Sequence, residues 1–263
     1  MIKSNHEECF EYNSSKLILG NYNEVLRNTF NINLIVTSPP YNIGSNGIRQ
    51  DGYRKIGKYD PKSFSGILSY EDKMQETVYQ DSQSKFIIWA MEHLSNDGVL
   101  LYNHKNRLKN KSTISPYEWI LPLIKTKKIS LRQEIIWNRR STHNHDKNYL
   151  YPISEKIFVI HKPNAKIFFK NYDPEGDKKG IGDVIEFKWQ KNKKIHDASF
   201  PIELPNTFIN MFSKENDLIC DPFSGSGTTM IAAIQAKRNF IGSELNEEHY
   251  KNSKERVLNY FLK

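Results

Sequence analysis

Apolar and polar positions fall into short blocks along this chain, and the blocks predict strands and helices in turn. Lys16-Leu17-Ile18-Leu19-Gly20 reads as a first strand, with Asn21 placed to cap a helix over 23–30. The next run, Leu34-Ile35-Val36, is apolar and β-branched, as expected of a strand buried on both faces. Pro39 and Pro40 end it, because each lacks an N–H and fixes its own φ. A helix is expected over 70–94 from its length and from the spacing of Met74, Val78, Phe86, Trp89 and Ala90, with Asn96-Asp97-Gly98 closing it. Strands follow at 99–102, 133–137 and 156–160, and helices at 116–124 and 202–212. Towards the end a strand from Asp217 meets a glycine turn, a helix over 230–236 and a strand from Asn239 that ends at Glu244.

Between these blocks the pattern dissolves in three places. Residues 42–69 hold glycines at 44, 47, 52, 57 and 66 among basic residues and read as a lid or nucleic-acid contact loop, with simple disorder as the plain alternative. Lys105 to Lys111 reads as a solvated basic loop. From Asn138 to about Ile195 basic residues interleave with Phe168, Phe169, Tyr172, Phe187 and Trp189, as phosphate neutralisation with base stacking requires; a solvated face of an irregular subdomain is the plain alternative. His143, His145 and Asp146 match no metal-ligand spacing, and no metal is expected.

Composition changes the picture in one respect. The net charge of +8 favours a polyanionic partner, nucleic acid first. No apolar run approaches the ~20 residues of a membrane helix, and the N-terminal residues do not read as a secretory signal. Cys9, in a polar segment, and Cys220 suggest neither a disulfide framework nor a metal site, so a cytoplasmic setting is expected. At 263 residues the chain fits one domain, 1–263, with the 42–69 loop and an insertion over about 138–195.

Two stretches carry candidate chemistry. Ser38-Pro39-Pro40-Tyr41 is a stiff strand end presenting a hydroxyl, carbonyls that no helix claims and an aromatic ring, a setting for a flat group bearing an amine. Asp221-Pro222-Phe223-Ser224-Gly225-Ser226-Gly227-Thr228-Thr229 is a strand-to-helix turn where the backbone can approach a ligand beside helix N–H donors. Glu244 lies where an acid can accept from ribose hydroxyls. A dinucleotide loop has the same outline, but Met230 stands where its third glycine would be. The charge of Asp221 suits a sulfonium carrier better than a pyrophosphate.

Together these stretches resemble the amino-group DNA methyltransferases that act on cytosine N4 or adenine N6. Ser38-Pro39-Pro40-Tyr41 is similar to that family's catalytic motif, and 221–229 to its D-P-F-x-G-S-G-T-T cofactor loop. His196 and Phe200 lie in a segment similar to H-P-x-x-F-P, with Asp197 in place of the proline, and Asn21 stands where relatives carry an acid. The resemblance implies an α/β, Rossmann-like S-adenosylmethionine-dependent fold, circularly permuted, because the catalytic motif precedes the cofactor loop. It implies Ser38, Pro39, Pro40 and Tyr41 as catalytic residues. Asn21, His196, Phe200, Asp221, Pro222, Phe223, Ser224, Gly225, Ser226, Gly227, Thr228 and Glu244 would then hold S-adenosylmethionine.

It implies DNA as substrate, with the base flipped out of the stack. Cytosine and adenine both stay open, as do a cognate restriction endonuclease and a homodimer. Methylation at a ring carbon is rejected, since neither cysteine resembles a catalytic thiolate. A DNA-binding regulator of the same fold without turnover is the alternative, against which the intact Ser38, Tyr41, Asp221 and Glu244 count.

Overall fold

The computed structural model describes residues 8–42, 74–140, 150–167, 169–171, 182–187 and 200–262. Within them a nine-stranded sheet runs in the order β1-β2-β11-β10-β3-β4-β8-β7-β9. Its centre is β2 (Ser15–Leu19), β11 (Asn239–Glu244), β10 (Leu218–Asp221), β3 (Ile32–Thr37) and β4 (Leu94–His104), all parallel. One margin adds β1 (Cys9–Tyr12), antiparallel to β2. The other adds β8 (Ser154–His161) and β7 (Ser130–Asn138) as antiparallel neighbours, then β9 (Val184–Glu186) parallel to β7.

Both faces of the central strands are covered, which explains their apolar runs. Leu34 and Val36 face a cluster completed by α4 (Glu203–Phe212), α5 (Thr228–Gln235) and α6 (Glu247–Phe261). Ile35, between them, faces the opposite cluster, built with α2 (Glu76–His93) and α3 (Tyr117–Lys125). In the same way Val99 and Leu101 take one face while Leu100 and Tyr102 take the other.

The strand order explains where a ligand can sit. From β10 the chain winds outward to β11, and from β3 it winds the opposite way to β4. A crevice therefore opens beyond the carboxyl ends of β10 and β3, where the winding reverses. One end is Asp221 and the other is Thr37-Ser38.

Several expectations are corrected. The first helix is only α1 (Tyr22–Val25): Leu26 is its C-cap, and Asn31 beyond it sits at φ 59°. Asn96-Asp97-Gly98 does not form a turn closing α2. It lies inside β4, because Leu94 already pairs with Ile32 of β3 across a register shift. Lys105 to Lys111 is not a solvated loop: β5 (Arg107–Lys109) and β6 (Ser112–Ile114) form a hairpin, with Asn110 and Lys111 at positive φ in its turn. Arg107 is buried there and grips Glu76 with both terminal nitrogens.

Cys9 belongs to a strand rather than to a loose polar segment, and α6 has no counterpart in the hydrophobic pattern. Phe169 and Phe187 pack against the core instead of offering stacking surfaces. Residues 43–69, the His143, His145 and Asp146 group, His196, Phe168, Tyr172 and Trp189 lie outside the described residues. Among the described residues no helix is long and apolar enough to cross a membrane.

Gly242 marks the tightest approach between β11 and the loop after β10. A Cβ there would lie 2.6 Å from the Phe240 ring and 2.9 Å from the Asp221 carbonyl oxygen. Gly242→Ala is expected to cost about 2 kcal/mol in urea unfolding, because the Ser224 and Phe240 side chains must shift and the Asp221 carbonyl can yield only by moving backbone. A loss below about 0.5 kcal/mol would show that the contact is not tight.

Candidate active site

The diproline corner and the glycine turn are fastened to each other by one carboxylate. Thr37, the last residue of β3, donates its hydroxyl to Asp221 Oδ1 at 2.7 Å. Thr229, in the first turn of α5, donates to Oδ2 at 2.6 Å, and the Phe223 N–H to Oδ1 at 3.2 Å. Asp221 is 2% exposed, and burial pushes its pKa up to about 6 against the pull of the two hydroxyls and the N–H.

Gly225 and Gly227 sit at φ 51° and 73°, the left-handed geometry that glycine adopts without strain, and Gly227 caps α5. Glu244 accepts from the Gly225 N–H and the Asn246 N–H, both at 2.8 Å, and burial raises its pKa. The side chains of Ser224, Ser226 and Thr228 turn inward. Ser224 bonds the Asp221 carbonyl, Thr228 accepts from Arg256, and Arg256 also bonds the Ser226 carbonyl. They shape the turn, while Pro222 and Phe223 face a cleft of about 370 Å³. Asn21 and Pro40 line the same cleft, with Tyr22, Tyr79 and Phe86 as walls and Leu245 at the rim. Phe200 packs at the edge of the core and is not among the lining residues.

On the diproline side a set of buried polar groups surrounds Ser38. Glu155 of β8 is 6% exposed and pairs with Arg139 at 2.7 Å. A carboxylate can only accept, so Tyr41 donates its proton to Glu155 Oε2 at 3.1 Å. The Tyr41 oxygen then accepts from Asn103 Nδ2 at 3.0 Å and from the Ser38 hydroxyl at 2.6 Å. Ser38 thereby gives up its proton inward; its oxygen takes a long contact from Asn103 Nδ2 at 3.4 Å and keeps a lone pair for an incoming donor. Burial, with Glu155 adding to it, holds the Tyr41 pKa far above its ordinary value, which keeps the phenol protonated for this role.

Tyr79 holds its hydroxyl 2.8 Å from the Pro40 carbonyl and 2.7 Å from His104 Nε2, whereas the Pro39 carbonyl takes no hydrogen bond among the described residues. His104, its pKa pushed down to about 3 by burial, packs its ring 4.6 Å from that of Tyr41 and stays neutral.

Thr37, Asn103, Arg139, Glu155 and Thr229 escaped the sequence reading as members of this site. The two threonines are visible as hydroxyls flanking the motifs. Asn103 and Glu155 meet at the Tyr41 hydroxyl because β4 and β8 pair at Asn103 and Ile157. Cys220 is fully buried, and burial raises its pKa, the reverse of an activated thiolate.

Comparison with known proteins bears on the fold and the family. The PvuII DNA methyltransferase, described as cytosine-N4-specific, superposes with a TM-score of 0.72 at 17% identity, covering 93% of this chain and 90% of that one. The M1.HpyAVI–SAM complex gives 0.63 at 18% identity, covering 92% and 98%. In sequence, the type II methyltransferase M.MthZI of Methanothermobacter thermautotrophicus is 47% identical across 88% of this chain and 72% of its own length. The orphan methyltransferase M.BamHII of Bacillus amyloliquefaciens is 26% identical across 88% and 90%. Residues 32–255 match the N6/N4 methyltransferase family model, described as DNA methylase. The chain belongs to that family of amino-group DNA methylases.

Glu155→Leu would leave Arg139, Asn103 and Tyr41 without their shared acceptor. It is expected to cost about 3 kcal/mol in urea unfolding, as for a buried pair broken on one side. Unchanged stability would mean that the four groups are not coupled as described.

Proposed function

We propose that this chain transfers a methyl group from S-adenosylmethionine to the exocyclic amine of a base flipped out of duplex DNA. The observation that carries the reading is the Thr37–Asp221 hydrogen bond, which holds the Ser38 corner and the glycine turn at one crevice. The residues present fit the cofactor. Tyr22, Phe86 and Phe223 offer aromatic walls to a purine, Glu244 is an acceptor beside the turn for ribose hydroxyls, and Asp221 places negative charge near a sulfonium. Asn21 lines the same cleft and completes this set, while Phe200 and His196 are assigned to the cofactor by the resemblance in sequence alone. When bound, S-adenosylmethionine supplies an electrophilic methyl group.

The chain's own residues prepare the other reactant. An exocyclic amine conjugated with its ring is a poor nucleophile. Ser38 Oγ and the Pro39 carbonyl accept its two N–H bonds and draw lone-pair density back onto nitrogen. Tyr41 offers a ring face to the base while its hydroxyl orients Ser38. The amine would take the methyl as the methyl's bond to the donor's sulfur breaks, leaving a neutral thioether, and would lose one proton along these acceptors towards solvent. Positioning and electrostatics supply the acceleration, with no covalent enzyme intermediate.

The base is cytosine or adenine, and a serine ahead of the prolines favours cytosine N4. The same reading makes the chain a modification enzyme that accompanies a cognate restriction endonuclease or acts alone. The names of the relatives include type II and orphan methyltransferases.

Ser38→Ala is expected to lower the methyl-transfer rate about a hundredfold while cofactor affinity stays unchanged. The assay is incorporation of labelled methyl into duplex DNA, followed by nucleoside analysis. Unchanged turnover would refute the role of Ser38. Cofactor binding without transfer to any DNA would favour the inactive regulator.

Asp221 is ionised above pH about 6 and neutral below it. Affinity for S-adenosylmethionine should therefore fall about tenfold from pH ~7 to pH ~5, while that for uncharged-sulfur S-adenosylhomocysteine changes less. Asp221→Asn should abolish the difference between the two ligands. Parallel pH profiles for both ligands in the unaltered protein would remove Asp221 from cation recognition.

A further inference from the structure

A hydrogen-bond chain on the far wall of the cleft has a fixed direction. Trp119 Nε1 lies 3.1 Å from the Tyr102 hydroxyl, and an indole N–H can only donate. The Tyr102 oxygen therefore accepts, and its single proton goes to Gln83 Oε1 at 2.7 Å. Trp119, Tyr102 and Gln83 are 2%, 0% and 5% exposed, so water does not compete for these bonds. The amide of Gln83 cannot turn over without setting its N–H bonds against the Tyr102 proton. Its nitrogen, with two N–H donors, makes no hydrogen bond among the described residues, and Gln83 lines the cleft.

An amide held in one orientation with both N–H donors unclaimed can give one to a ligand entering the cleft without reorienting. The neighbouring walls narrow the chemistry of that ligand. Phe86, one turn along α2, meets Tyr22 and Phe223 edge to face at 5.4 and 5.0 Å, and all three rings line the same cleft. Flat apolar walls with a pair of donors at one margin suit a heteroaromatic ring that presents an acceptor nitrogen.

We infer that Gln83 is a specificity-determining residue for the methyl donor: its amide donates to one ring nitrogen of the adenine and so sets which edge of the purine enters. This rests on the proposed function, since the adenine belongs to the S-adenosyl group. Tyr102 and Trp119 act through Gln83 as positioning residues that fix the polarity of its amide.

The test is calorimetric binding of S-adenosylhomocysteine and of three analogues in which N1, N3 or N7 of the purine is replaced by C–H. In the unaltered protein one analogue should bind about tenfold more weakly than the parent compound. Gln83→Glu keeps an oxygen for Tyr102 but replaces the donor nitrogen. In that variant the parent compound should lose about the same factor, and the weakened analogue should lose nothing further. Equal binding of all four compounds by the unaltered protein overturns the inference without needing any variant. A penalty that persists unchanged in Gln83→Glu overturns it as well. Failure of the unaltered protein to bind the parent compound overturns the proposed function itself, and this inference with it.

Discussion

Asp221 is the point through which the two halves of the crevice are joined. Its carboxylate sits at the end of β10 and takes one hydroxyl from the end of β3 and another from the start of α5. Those three elements come from opposite ends of the chain, yet the bonds set their spacing to within a hydrogen-bond length. A buried carboxylate is costly unless its lone pairs are filled, and two threonines with one backbone N–H fill them. The charge retained there also lies beside the glycine turn, so one residue both fastens the site and colours its potential.

The second organising feature is directional. Hydroxyls and amides can donate or accept, and a site that must accept an amine's protons has to remove that freedom. Glu155 does so for Ser38 by accepting from Tyr41, which then accepts from Ser38. Trp119 does so for Gln83 by donating to Tyr102, which then donates to the amide oxygen. An acceptor-only group ends one chain and a donor-only group begins the other. The polarity at the cleft is thus decided by residues buried behind it.

How much of this was legible in the sequence follows from the range of each interaction. The diproline corner and the glycine turn are local: proline lacks a donor, glycine permits positive φ, and both effects act within a few residues. The strands of the parallel core were legible for the same reason, since Leu34-Ile35-Val36 needs both faces covered wherever it lies. Glu155, Asn103 and Gln83 were not legible, because their roles depend on the pairing of β4 with β8 and on the packing of α2 against Tyr102. Nothing in a polar residue's own neighbourhood shows which atom it will turn towards a cleft. The basic stretch at 105–111 misled in the opposite direction. Its charge suggested solvent, but the Asn110-Lys111 turn and the buried Arg107–Glu76 pair fold it back against α2.

The central claim is that an acceptor corner and a methyl-donor cradle face one another across a single crevice. A structure of the chain with S-adenosylhomocysteine and a DNA duplex containing its recognition site measures this directly. The account predicts an extruded base whose exocyclic nitrogen lies within hydrogen-bond reach of Ser38 Oγ and the Pro39 carbonyl on one side and faces the ligand's sulfur on the other. A base that stays stacked in the duplex, or a ligand seated away from the Asp221 turn, would contradict it.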